Sequence, residues 1–118
     1  MIVGACVVEL HIEGSQSLKA KRGVIRSIVR RVRNEFNLAV SEIGGQDTWQ
    51  YAALGLAAAG MDAATVRSVL ERAGEFIEDL HLGVVLSTEI QVVDLPHEEQ
   101  PWDPDDGEDE DDDGEEED

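Results

Sequence analysis

Residues 49–60 read Trp-Gln-Tyr-Ala-Ala-Leu-Gly-Leu-Ala-Ala-Ala-Gly, and the conformation of this segment determines the architecture of the whole chain. Its alanines favour a helix by intrinsic propensity. Gly55 in the middle and the glycine-bearing turns on either side favour a strand instead. Because a strand here would complete two strand-helix-strand halves of similar length, we interpret the segment as the third strand of a sheet.

The segments on either side carry clearer patterns. Residues 1–12 and 84–93 alternate between apolar and polar side chains, which predicts strands, and residues 38–43 predict a shorter one. Apolar side chains recur at helical spacing in residues 18–36 and again after Asp62, which predicts two helices with a serine and Asp62 as N-caps. Together these elements predict an α+β, ferredoxin-like βαββαβ fold, a four-stranded antiparallel sheet with two helices on one face.

The charge of the chain is concentrated at its C-terminal end. Of 118 residues, the last 22 include 15 Asp or Glu and no Lys or Arg, so we expect residues 97–118 to form a disordered acidic tail. Residues 1–96 then form the domain, which contains all nine basic residues and 12 acidic ones. The tail therefore supplies most of the net charge of −18.

Composition argues against several classes of protein. The single cysteine, Cys6, excludes an internal disulfide, and no Cys/His cluster predicts a zinc site. The N-terminus has no signal-peptide pattern, and the longest apolar run is about half the length of a membrane-spanning helix. We therefore expect a cytoplasmic protein without membrane contact, metal, cofactor or small-molecule substrate.

The first predicted helix holds seven of the nine basic residues. At 100° per residue, five of them fall within an arc of about 80°, a row roughly 20 Å long beside the apolar stripe. We call this row the basic face: Lys19, Arg22, Arg26, Arg30 and Arg33. A solvated helix face is the ordinary interpretation, but like charges with almost no acidic neighbours indicate anion or nucleic-acid contact, for which we also include Lys21.

Two further groups of side chains are candidates for function. Gln46, Asp47, Trp49 and Gln50 form a polar and aromatic loop. In this loop we expect Trp49 to pack at the domain edge, although an exposed indole would suit a nucleobase or a protein partner.

The second group is expected on the uncovered sheet face and consists of Glu9, His11, Glu89 and Gln91. A polar uncovered face is ordinary in an antiparallel sheet, so we predict no catalytic residue among them.

Several short motifs resemble the YlxP-like family of small bacterial proteins, a domain of unknown function (DUF503). The clearest are Ser-Leu-Lys-x-Lys-Arg at residues 17–22 and Gln-Asp-x-Trp-Gln at residues 46–50. The resemblance covers about residues 1–95. It implies a ferredoxin-like fold and a cytoplasmic bacterial protein whose gene often lies beside those of a translation initiation factor and a ribosome-binding factor.

We therefore expect a non-enzymatic accessory protein of translation or ribosome maturation that contacts RNA or the ribosome through its basic first helix. The alternative is a homodimeric interaction module that uses the open sheet face or the sheet edge near Val85, Ser87 and Val93. An enzyme comes third, with Glu9 and His11 as its only candidate groups.

Overall fold

The computed structural model describes residues 1–14, 16–102, 104 and 105. The elements follow in the order β1 (Ile2–His11), α1 (Leu18–Glu35), β2 (Ala39–Gly44), β3 (Tyr51–Gly60), α2 (Ala63–Leu80) and β4 (Val84–Asp94). The four strands form one antiparallel sheet in the order β2-β3-β1-β4. The predicted ferredoxin-like fold is confirmed.

The alanine-rich segment is a strand, β3, as the symmetry of the two halves predicts. It pairs with β1 along its whole length and with β2 on its other edge, so hydrogen bonding on both sides outweighs the helix propensity of alanine. Ala52, Leu54 and Leu56 are buried beneath the helices. Small side chains also let a helix approach the neighbouring strand closely: a Cβ on Gly4 would lie 2.6 Å from Val66 Cγ1 of α2.

Side-chain caps fix the beginnings of both helices. Ser17 Oγ accepts a hydrogen bond from the amide of Ala20 at 3.0 Å, and Asp62 Oδ2 accepts one from the amide of Thr65 at 2.8 Å. Each cap satisfies an amide that has no partner inside its helix. The end of α2 is made by His81, which adopts the left-handed conformation at φ 56°.

The core lies between the helices and one face of the sheet. α2 packs over β4, β1 and β3, and α1 packs over β2. The buried apolar side chains include Cys6, Val8, Leu10 and Ile12 of β1 and its end, Ile25, Ile28 and Val32 of α1, and Val66, Leu70 and Ile77 of α2. No helix of the described residues lies over the opposite face of the sheet.

Residues 95–102 form neither helix nor strand. Most of the predicted disordered tail, residues 103 and 106–118, lies outside the described residues. Within the part of the chain that the structure describes, neither helix is long and apolar enough to cross a membrane.

Candidate functional site

The basic face lies along one side of α1, and all five of its side chains are exposed. Among the described residues, no carboxylate lies within ion-pair distance of Lys19, Arg22, Arg26 or Arg30. The single basic side chain of the face with a bonded partner is Arg33, whose Nη2 donates to the carbonyl oxygen of Val40 at 2.7 Å. The five positive charges of the basic face therefore share one side of the helix and are not neutralised by acids of the described part of the domain.

The basic face is directed toward β2, which is an edge strand of the sheet. Arg26, Arg30 and Arg33 line a surface hollow of about 450 Å³ together with Glu42 of β2. The other flank of α1, represented by Glu35, lines a separate hollow with α2. The guanidinium groups thus point away from α2, which carries four acidic and two basic side chains.

Lys21 does not belong to this surface, which corrects its inclusion among the nucleic-acid contacts. Its side chain is fully buried. Nζ donates to the carbonyl oxygens of Thr48 at 2.7 Å and Tyr51 at 3.1 Å, and it also donates to that of Gly45. Glu42 Oε2 lies 3.7 Å from the same nitrogen. The ammonium group holds the β2–β3 loop against the first turns of α1, so it cannot contact an external phosphate.

The β2–β3 loop, residues 45–50, is tightly constrained. Gly45 has φ +82°, and a Cβ there would lie 2.6 Å from the carbonyl oxygen of Tyr51. The amide of Thr48 donates to the carbonyl of Gly45 at 3.0 Å, and the amide of Ile12 donates to that of Gln50 at 2.9 Å. Hydrogen bonds therefore hold the backbone on both sides of Trp49.

Trp49 does not seal the core, contrary to the packing role expected for it. Its side chain is 53% exposed, and it contributes to neither the buried cluster nor the apolar side chains packed against that cluster. Gln46, Asp47 and Gln50 are also exposed. The loop thus presents an aromatic ring flanked by polar groups, with its backbone fixed from inside by Lys21.

The uncovered face of the sheet carries Glu9, His11, Glu89 and Gln91. The register pairs Val7 with Glu89 and Ala5 with Gln91, so all four side chains lie on that face. Most of the other residues there are small or apolar: Val3, Ala5, Val7, Ala53, Gly55, Ala57, Ala59 and Val93. The face is therefore mainly apolar along β3 and the first part of β1, and polar along the middle of β4 and at the end of β1.

At the polar end of β1, Glu9 is held by two hydroxyl groups that sequence patterns do not link to it. Tyr51 Oη donates to Glu9 Oε2 at 2.6 Å, and Ser87 Oγ donates to Glu9 Oε1 at 2.7 Å. These bonds lower the pKa of Glu9, chiefly through Tyr51, and the same bond raises the pKa of Tyr51. A carboxylate with both oxygens engaged and a lowered pKa is a weak general base at neutral pH.

The remaining candidate chemistry is limited. The thiol of Cys6 is buried, and burial raises its pKa, so its reactive thiolate form is disfavoured. Within the described residues, no group of three His, Cys, Asp or Glu side chains is arranged to hold a metal ion.

Comparisons with known proteins identify the family. Residues 3–90 match the family model described as "Protein of unknown function (DUF503)". The chain is 40% identical over 77 residues to "Uncharacterized protein YlxP" of Bacillus subtilis (strain 168), which covers 65% of this chain and 84% of that protein.

Similar solved structures include "De novo designed protein Foldit4", with a TM-score of 0.46, 16% identity, and coverage of 80% of this chain and 98% of that one. They also include SnoaB, a cofactor-independent oxygenase from Streptomyces nogalater, with a TM-score of 0.43, 9% identity, and coverage of 81% and 95%. At these TM-scores and identities, the similarities say nothing about the function of the chain.

Proposed function

Because the chain belongs to the DUF503 family of proteins of unknown function, we propose its role from its own surface. The protein contacts RNA through the basic face, as a non-enzymatic cytoplasmic accessory protein of translation or ribosome maturation. Ribosomal RNA is the partner that the gene neighbourhood implied by the family resemblance favours.

The observation that carries the proposal is the row of exposed, unpaired cations on one side of α1. From Lys19 to Arg33 the helix rises about 21 Å, at 1.5 Å per residue. Cations three and four residues apart repel one another, and attraction to a bound polyanion would offset this repulsion. Guanidinium groups also match phosphate geometrically because their N–H donors form a planar fork.

The surroundings of the basic face support binding of an anion from outside. Glu42, the acid that shares the hollow with Arg26 and Arg30, lies beside the ammonium of Lys21. Its negative charge is thus partly offset from inside the domain. The remaining acidic side chains of the helical layer lie mainly on α2, away from the basic face.

The test is co-sedimentation with ribosomes at low salt. Replacing Arg26 and Arg30 with Glu reverses two charges in the middle of the basic face and should abolish co-sedimentation. The matched control replaces Arg67 and Arg72 of α2 with Glu. This double variant has the same change of net charge at another surface and should leave co-sedimentation intact. Retained binding by R26E/R30E, or equal loss in both double variants, would contradict the proposal.

Salt dependence gives a second readout of the same contact. For single-stranded RNA, log K should fall by about 0.7 per neutralised phosphate for each log unit of salt. Removing one phosphate-contacting arginine by Arg26→Ala should therefore reduce that slope by about the same amount. A slope unchanged from the parent protein would mean that Arg26 does not contact phosphate.

A homodimer formed through the uncovered sheet face is the second candidate, and the apolar side chains of β3 and β1 on that face favour it. Four strands about 4.8 Å apart and some 33 Å long give a face of roughly 600 Å². Two copies face to face would bury about 1,200 Å², the lower end of the range for stable interfaces. Ala57→Arg should then convert a salt-insensitive dimer into a monomer in analytical ultracentrifugation; a monomeric parent protein would eliminate this candidate.

A further inference from the structure

We propose that Trp49 is a stacking platform for one unpaired base of single-stranded RNA, at the end of the basic face nearest the β2–β3 loop. The inference rests on the proposed function, because it assumes that RNA phosphates bind along α1. It adds the form of RNA that the surface selects: a strand with at least one base free of pairing.

The indole of Trp49 is exposed while the backbone on either side of it is fixed. The carbonyls of both neighbours, Thr48 and Gln50, accept hydrogen bonds from Lys21 Nζ and the Ile12 amide. The side chain of Trp49 itself is 53% exposed. A loop whose backbone is fixed before binding loses little backbone freedom when a ligand stacks on its exposed ring, which is what a recognition surface needs.

The β2–β3 loop that carries Trp49 adjoins the basic face. Lys21, in the first turns of α1 between Lys19 and Arg22, reaches the loop through its ammonium group. Glu42 lies against that ammonium and also lines the hollow with Arg26. The buried pair therefore places the loop and the hollow on adjoining parts of the domain.

The side chains of the β2–β3 loop suit a nucleobase. An indole can stack on any base, and such stacking has little sequence preference. The exposed amides of Gln46 and Gln50 can donate and accept hydrogen bonds at the edge of that base. The exposed carboxylate of Asp47 repels phosphate, so the arrangement suits a base at the loop and phosphates along the helix.

A base inside a duplex has its faces covered by its neighbours, which gives the proposal a sharp test. The probe is a fluorescein-labelled single-stranded RNA of mixed sequence, compared with the same strand annealed to its complement. Dissociation constants are measured by anisotropy at low salt with the full chain. Trp49→Ala should weaken binding of the single strand by roughly tenfold, within the range for loss of one stacked base, and leave duplex binding unchanged.

The chain offers a matched control in its other tryptophan. Trp102 is 84% exposed and lies outside the fold, so Trp102→Ala should change neither affinity. Trp49→Phe should restore most of the single-strand affinity because it keeps an aromatic face. In a Trp102→Phe background, the fluorescence of Trp49 should be quenched by the single strand and not by the duplex. Unfolding midpoints of the variants should match the parent protein, which separates contact from folding.

The outcomes distinguish the two proposals. If R26E/R30E abolishes binding while Trp49→Ala leaves the single-strand affinity unchanged, the stacking platform is overturned and the RNA contact stands. Equal weakening of single-strand and duplex binding by Trp49→Ala also overturns stacking. If the parent protein binds neither form of RNA, the proposed function itself fails. Because the indole is uncharged, Trp49→Ala should leave the salt slope unaltered, whereas Arg26→Ala should lower it.

Discussion

Replacing Lys21 with Met should remove a large part of the free energy of unfolding that keeps this domain folded. Methionine keeps an unbranched apolar stem of similar length and removes the ammonium. Three carbonyl oxygens, those of Gly45, Thr48 and Tyr51, then lose their shared donor, and the carboxylate of Glu42 loses its counter-charge.

The magnitude follows from the number of groups left without a partner. A hydrogen bond to a charged group contributes about 1.5 to 3 kcal/mol, and such contributions do not add when they share one atom. Removing one member of a buried ion pair costs about 3 to 5 kcal/mol. Glu42 Oε2 is buried but lies 3.7 Å from Nζ, beyond hydrogen-bond distance, so the three carbonyls dominate. We therefore expect Lys21→Met to lower the free energy of unfolding by about 3 to 5 kcal/mol, against about 5 to 15 kcal/mol for a whole domain.

Equilibrium urea unfolding, followed by circular dichroism, measures this change. Lys19→Met is the matched control, because Lys19 lies two residues earlier on the same helix and is exposed; it should cost less than about 0.5 kcal/mol. Glu42→Gln should cost less than Lys21→Met. A loss below about 1 kcal/mol for Lys21→Met would refute the reasoning, since it would show that water satisfies the three carbonyls without the ammonium.

Three other predictions address single contacts and the acidic tail. Tyr51→Phe should raise the pKa of Glu9 toward its ordinary value, as measured by carboxyl NMR titration, and an unchanged pKa would contradict this cause. In the parent protein, the lowered pKa of Glu9 contributes stability above the unfolded-state pKa. That stability is lost as the pH falls through the folded-state pKa. Asp62→Ala should cost about 0.5 to 2 kcal/mol in urea unfolding by removing the cap on the Thr65 amide, and a change of only a few tenths would show that the cap contributes little. Deleting residues 97–118 should tighten RNA binding at low salt if the acidic segment competes for the basic face; unchanged affinity in the same titration would eliminate competition.

The elements of the fold are largely predictable because their signals are local. Ser17 and Asp62 stand directly before helical periodicity, and their side chains cap the helices as expected. β3 is the harder case, since propensity alone favours a helix there. The strand follows from the symmetry of the two halves, and pairing with both β1 and β2 is the physical cause.

The candidate site is only partly predictable, as two loop-side residues show. The charge of Lys21 favours placing it with the exposed cations, yet its spacing to Ile25, Ile28 and Val32 places it on the buried stripe. That spacing was the available signal. Large rings usually pack against a core, which predicts a packing role for Trp49, and the structure instead leaves its ring half exposed. No local pattern predicts that difference.

The partners of Glu9 show a further limit. Tyr51 and Ser87 lie 42 and 78 residues away along the chain, and they reach the carboxylate because β3 and β4 flank β1. The parity of β1 places Glu9 on the uncovered face, but the identity of its neighbours depends on register.

By itself, the amino-acid sequence determined the order of helices and strands, the caps of both helices and the side of α1 on which the arginines lie. Each of these depends on residues within a few positions of one another, whose spacing acts through the fixed geometry of a helix or strand. Only the tertiary structure decided that the Lys21 ammonium donates hydrogen bonds to carbonyls of the β2–β3 loop and that Trp49 faces solvent. Burial is set by which distant segments close over a side chain, and here those segments are the β2–β3 loop and the edge of the sheet.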